Sequence, residues 1–233
     1  MNEPLKIFIG FDKAEIAAYQ VCSYSIIKNA TKPVAIIPLN IRYILDWFEN
    51  SDYKSSTEFA FSRFLVPHFC NFEGQAVFMD CDMLVRTDIH EILRHHNPPS
   101  AVSVVKHNYT PVEKDKFLGQ LQTVYPMKNW SSVMVFQNAK CKALDSGYVN
   151  KATGLSLHRF KWTDEDKIGS LPPTWNYLVG EGVEKVAEPN IVHFTRGGPY
   201  FNEYRNCEYA DEWFRYWEES NSVLDRRAVC SEV

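Results

Sequence analysis

Between Gln75 and Arg86 the chain reads QAVFMDCDMLVR: an apolar run delivers two carboxylates, Asp80 and Asp82, one residue apart, and then turns apolar again. Ala76–Met79 has the length and apolarity of a strand buried on both faces, as in the parallel sheets of α/β proteins. An acid at the end of such a strand is costly to bury unless a cation balances it. Alternate residues of an extended chain point to the same side, so both acids can face one hard divalent metal. The remaining coordination positions commonly go to water, a third side chain or phosphate oxygens. Ligands of open α/β sheets sit beyond the carboxyl ends of the strands, where these acids would lie. Most D-x-D pairs are solvated turns, so the rest of the chain has to decide between the two readings.

At 233 residues the chain is expected to form a single α/β domain, with a mixed, mostly parallel central sheet flanked by helices. The net charge of −4 gives no reason to expect nucleic acid or an anionic membrane as partner. The start, MNEPLKIFIGFD, enters a strand-like run without a signal-peptide core, and no window approaches the ~20 apolar residues of a membrane span. A cytoplasmic protein is expected. The six cysteines are scattered without a C-x-x-C pair, so neither a zinc site nor a disulfide framework is suggested.

Taken in order, Lys6–Phe11 predicts a first strand with Asp12 at its tip, and Ile16–Ile27 carries apolar residues at helical spacing. No G-x-G-x-x-G or P-loop follows, which argues against a dinucleotide or Walker-type phosphate cradle. Val34–Leu39 predicts a second strand, Tyr43–Phe48 a helical turn or two, and Asn50–Ser56 a loop. Thr57–Phe69 predicts a capped helix containing Arg63, ended or bent by Pro67. Arg63 needs a partner, either a neighbouring acid or a bound ligand. Asp88–His96 reads as a helix, Ala101–Lys106 and Asn129–Asn138 as strands, and Asn108–Tyr125 as a polar loop. Asp164, Glu165 and Asp166 read as a helix N-terminus or as sugar-hydroxyl ligands, and PPTWNY after them as an extended turn. In IVHFTRGGPY a strand ends at His193, and the Arg196 turn with its glycine pair offers backbone to a phosphate. Glu208–Arg227 predicts a terminal amphipathic helix with Trp213, Phe214 and Trp217 on its apolar side.

The order KIFIGFD, STEFAFSRFLVP, AVFMDCDMLV, NWSSVMVF, WTDEDKIGSLPPTWN, VHFTRGGPY resembles the retaining GT-A glycosyltransferases of the glycogenin- and galactosyltransferase-like group usually called family eight. The resemblance implies that Asp80, Asp82 and His193 bind Mn²⁺ or Mg²⁺, which carries the diphosphate of a nucleotide-sugar donor, expected to be UDP-linked. It implies that Gly10, Phe11 and Asp12 contact the nucleoside and that Arg63 touches the donor. Asn129, Ser131 and Asp166 would border the sugar and acceptor pocket, and Asp164 or Glu165 would be the catalytic carboxylate. Residues 1–105 would form the nucleotide and metal half and 106–233 the acceptor half. Two departures stand out: Glu165 occupies the place of a glutamine, and the tail lacks the family's lysine, for which Arg196 is the substitute. The expected activity is metal-dependent transfer of a sugar, with retention, to a saccharide, protein or lipid acceptor. The alternatives are a haloacid-dehalogenase-like phosphohydrolase using Asp80 as nucleophile, and a nucleotide-sugar binding module without catalysis.

Overall fold

The structure is a computed structural model that describes residues 3–40, 60–108, 115–116, 120–121, 127–183 and 185–222. The expected features at Tyr43–Phe48, at Asn50–Ser56, at Thr57, in most of Asn108–Tyr125 and at residues 223–227 lie outside the described residues.

β1 (Leu5–Gly10) pairs in parallel with both β2 (Val34–Leu39) and β3 (Gln75–Met79), and α1 (Ile16–Asn29) makes the crossover between the first two. β3 is followed at once by β4 (Met83–Val85), and β5 (Val102–Val104) comes next. Two short pieces, β6 (Asp115–Lys116) and β7 (Gln120–Leu121), pair antiparallel. β8 (Val133–Gln137) then inserts between β3 and β5, antiparallel to both, and β9 (Ile168–Ser170) runs parallel to β5 at the edge. The six-stranded sheet has the order β2, β1, β3, β8, β5, β9, and β8 alone runs against the others. The apolar runs of β3 and β8 are buried along nearly their whole length, as central strands covered on both faces should be. β8 and β9, from after residue 105, share this sheet with four strands from before it, and β8 lies between two of those.

The helices differ from expectation in detail. A 3-10 turn at Ser62–Leu65 leads into α2 (Val66–Phe69), with Pro67 in its first turn. Proline is tolerated there because the first N–H groups of a helix have no internal partner, so Pro67 opens a helix where the sequence suggested an end. Asp88 caps a 3-10 segment, Ile89–His95, and α3 (Ser146–Lys151) and α4 (Gly154–His158) fill the stretch before β9.

A second, three-stranded sheet is formed by β10 (Tyr177–Leu178), β11 (Ile191–His193) and β4. α5 (Ala210–Asn221) covers it with Trp213 and Tyr216, which pack with Val21 of α1, Leu84, Val192 and Phe194. Tyr216 rather than Trp217 is fully buried on that helix. Arg86, just past β4, fastens the helix by an ion pair to Glu212 at 3.0 Å. Among the described residues no helix is long and apolar enough to cross a membrane.

Candidate metal centre

Asp80 and Asp82 occupy the turn between β3 and β4, so the chain passes from the large sheet to the small one across them. The Asp80 amide donates to the Ser132 carbonyl at 3.0 Å, which joins this turn to the entry of β8. β4 pairs antiparallel with β11, placing His193 opposite Met83, and the Phe194 amide donates to the Asp82 carbonyl at 2.9 Å. That pairing carries a distant imidazole to the acids. His193 Nε2 lies 3.3 Å from Asp82 Oδ1 and 4.0 Å from Asp80 Oδ2. One ligand atom from each of the three residues falls within 4.8 Å of the others.

Burial pushes the Asp80 carboxyl up to about 6, against the pull of the Arg63 guanidinium and with help from Asp82. For His193 burial is the largest influence and opposes the imidazolium, but the Asp82 and Asp80 carboxylates together outweigh it and hold the ring above its ordinary value. Asp80 Oδ1 and Asp82 Oδ1 are both shielded from solvent with no hydrogen-bond donor aligned on them. Each has an ion-pair neighbour, Arg63 at 3.1 Å for the first and His193 at 3.3 Å for the second, and buried acceptors that no donor satisfies well leave a place for an ion or water. Two carboxylates and an imidazole converging on one point suit a divalent cation such as Mn²⁺ or Mg²⁺. The residues present therefore fit the metal that the sequence led one to expect.

Arg63 is buried behind this cluster. Its guanidinium lies 3.1 Å from Asp80 Oδ1, donates to the Ser131 carbonyl at 2.9 Å and stacks over Phe78 with 4.9 Å to the ring centre. Of the two partners that the sequence offered this arginine, the structure supplies the acid.

The other expected residues distribute around the same edge with one exception. Gly10 ends β1, Phe11 meets Tyr19 edge to face at 5.3 Å, and Asp12 caps the next turn by accepting from the Ala14 amide at 2.9 Å. Asn129 takes a left-handed conformation (φ 60°) and opens a 3-10 turn, Trp130–Ser132, that leads into β8. Ser131 Oγ is 2.7 Å from His158 Nδ1. Arg196 donates to the Gly180 carbonyl at 3.1 Å. Of the glycine pair beside it, a Cβ on Gly197 would meet the Tyr204 ring at 2.6 Å, and one on Gly198 the Tyr200 ring at 2.3 Å. Tyrosine rings, not open space for a phosphate, occupy the Cβ side of that turn.

The exception is the acidic triplet. The register aligns Ile168 of β9 with Val102, Phe136 and Ala76 in successive strands. Asp164, Glu165 and Asp166 precede Ile168, so they sit at the end of the sheet opposite Asp80. Three strand spacings across and four residues along give roughly 14 Å and roughly 13 Å of separation between Ile168 and Asp80. All three acids are exposed, and Asp166 pairs with Lys167 at 3.0 Å. The chain enters β9 directly from this triplet, with no intervening helix to bring it from the ligand edge. These residues are thereby removed from the catalytic and sugar-pocket places given to them above.

Two residues at the site were not foreseen. Asn176, in the PPTWNY turn, is fully buried and its Oδ1 lies 2.9 Å from His193 Nδ1. Glu15, at the first turn after β1, is buried against Tyr200, whose hydroxyl donates to it at 2.8 Å. Burial, reinforced by Asp82, raises the Glu15 carboxyl to about 8. An acid at the start of a helix normally signals only its dipole, and nothing local in the sequence marks Tyr200 as its lid.

No protein-family model matches the chain. Among solved structures it superposes on the bifunctional glycosyltransferase WbbM with a TM-score of 0.65 at 15% identity, covering 93% of this chain and 50% of that one. GlyE, a glycosyltransferase of Streptococcus pneumoniae, gives 0.60 at 13% identity, over 99% of this chain and 63% of the other. The galactosyltransferase LgtC, solved with donor and acceptor sugar analogues, gives 0.61 at 10% identity, over 97% and 99%. The chain thus spans half of WbbM and less than two thirds of GlyE, and these likenesses establish the GT-A glycosyltransferase fold. In sequence it is 44% identical over 237 aligned positions to Protein CDI of Arabidopsis thaliana, covering 97% of this chain and 91% of that protein. A likeness of that degree along almost the whole length places the chain in one family with the Arabidopsis protein CDI.

Proposed function

We propose that this chain is a metal-dependent glycosyltransferase that moves a sugar from a nucleotide donor, UDP-linked, to an acceptor with retention at the sugar carbon. The observation that carries the reading is the convergence of Asp80, Asp82 and His193, whose ligand atoms lie within 4.8 Å of one another at the ligand edge of a GT-A fold. Asp80, Asp82 and His193 would hold Mn²⁺ or Mg²⁺. The cation would supply positive charge to the departing nucleoside diphosphate, a kind of electrostatic assistance commonly worth several kcal/mol.

The protein's own groups take complementary roles. Gly10, Phe11 and Asp12, at the exit of the first strand, border the nucleoside, and Arg196 on the turn after β11 serves the diphosphate. Arg63 braces Asp80 from behind, so it acts on the donor through that acid. Asn129 and Ser131, with His158 against the serine, form the acceptor side. Asp164 and Glu165 lie too far away to act as a covalent nucleophile, which favours front-face attack by the acceptor hydroxyl. The phosphohydrolase alternative finds no support in a fold whose solved neighbours are glycosyltransferases.

Calorimetry of the purified protein with Mn²⁺ and a panel of UDP-sugars tests the reading. Wild type should bind a UDP-sugar only when Mn²⁺ is present, and Asp82→Asn should lose that metal-dependent binding while its unfolding transition survives. Donor affinity unchanged by Asp82→Asn, or indifferent to Mn²⁺, would refute it.

A further inference from the structure

The hydrogen bonds behind His193 determine which of its nitrogens faces the acids. Ser132 Oγ donates its proton to the Asn129 carbonyl at 2.6 Å, so toward Asn176 it can only accept. Asn176 Nδ2 meets that oxygen at 2.8 Å and the Asn129 carbonyl at 3.4 Å. The amide nitrogen must therefore point to this turn, and Oδ1 must point to His193 Nδ1, 2.9 Å away. An amide oxygen can only accept, so Nδ1 carries a proton and Nε2 is the nitrogen turned to Asp82 and Asp80, available to a cation once its own proton is displaced. Asn176, Ser132 and His193 are all at most 2% exposed, so little water competes for these bonds.

The same turn also holds the other side of the site. Ser132 gives its carbonyl to the Asp80 amide, and Ser131 gives its own to Arg63, which grips the Asp80 carboxylate. Residues 129–132 are thus tied to Asp80 through backbone and arginine, and to His193 through Asn176.

Resting on the metal-site reading above, we propose that Asn176 is a positioning residue for the cation. It holds a proton on His193 Nδ1, which leaves Nε2 as the ligand nitrogen, and couples that imidazole, through Ser132 and Asn129, to the turn that also sets Asp80. Partners of this outer kind typically change metal affinity by about 10–100-fold when removed.

The test measures Mn²⁺ affinity of the full chain by calorimetry without donor, alongside urea unfolding. Asn176→Leu, close in size but unable to accept, should weaken Mn²⁺ binding about 10–100-fold. Asn176→Asp keeps an acceptor for Nδ1–H and should stay within about threefold of wild type, by the same argument from ligand orientation. Ser132→Ala, which frees the amide to turn over, should fall between them. In the Mg²⁺-loaded wild type, nitrogen-edited NMR should show a protonated His193 Nδ1 with slow solvent exchange. Equal affinities for wild type and the leucine variant would overturn the inference while leaving the metal site intact. Equally weak binding by the leucine and aspartate variants would also overturn it, by showing that the side chain merely fills space. Should Asn176→Leu fail to fold, the aspartate and Ser132→Ala variants decide in the same way: loss in the first or none in the second overturns it. Absence of Mn²⁺ binding in wild type would instead remove the metal site itself.

Discussion

Replacing Arg63 by methionine would strip the charge from a buried ion pair of the site while keeping most of the aliphatic stem. Arg63 is 5% exposed, and its guanidinium lies 3.1 Å from a carboxylate that is itself largely buried. Removing one member of a buried pair typically costs about 3–5 kcal/mol, because the other is left as an unbalanced charge. The hydrogen bond to the Ser131 carbonyl goes with it. For a chain of this size each kcal/mol shifts the melting temperature by about 2–4 °C, so Arg63→Met should melt about 6–20 °C lower in EDTA. Arg63 is also the chief influence holding the Asp80 carboxyl down against burial, so in the variant that group should move above its present value of about 6. Mn²⁺ should then recover part of the lost stability, since a cation that binds only the folded state shifts the equilibrium toward it. Thermal unfolding of Arg63→Met, Asp80→Asn and the double variant, each with EDTA and with Mn²⁺, measures all of this. A fall of less than about 2 °C, or strict additivity of the two substitutions where contacting residues usually couple by about 0.5–3 kcal/mol, would refute the reasoning.

Two further outcomes follow from buried groups near the site. Glu15 titrates near 8 in the folded chain against an ordinary value of 4.5, so the folded state holds the extra proton between those values. Its contribution to stability is lost as pH rises through that window, at a slope of up to about 1.4 kcal/mol per pH unit. Glu15→Gln should flatten the fall in urea midpoint between mildly acidic and mildly alkaline buffer, both in EDTA, and identical slopes for the two proteins would assign the proton elsewhere. At Gly197, φ is +124° and a Cβ would stand 2.6 Å from the Tyr204 ring. Gly197→Ala should therefore lower stability by about 1–3 kcal/mol in urea, and a neutral result would mean the ring moves aside without cost.

What could be read from the chain was whatever depends on short-range pattern. The apolar runs at residues 5–10, 34–39, 75–79 and 133–137 became strands close to where alternation and length put them. The acids after the third of these and the histidine closing IVH came together as a ligand set. What could not be read depends on partners far away in sequence. Asn176 looks like a turn residue until its bonds to His193 and Ser132 are seen, and Glu15 looks like a helix-start acid until Tyr200 covers it. The acidic triplet at residues 164–166 failed for another reason. A motif fixes residue types and spacing, but strand register decides at which end of a sheet they arrive. Here only a 3-10 turn of three residues separates Asp164 from the start of β9.

The reversed direction of β8 gives the Asn129–Ser132 turn its hold on the site. Its neighbours in the sheet meet the ligand edge as they finish. β8 meets that edge as it begins, so the turn is anchored from downstream by five residues of ladder with a strand on each side. A shift of one residue in that ladder would reverse every side chain of β8 between the two faces, a penalty that fixes where the Ser131 and Ser132 carbonyls stand. The turn beside the cation thus takes its place from the strand that follows it.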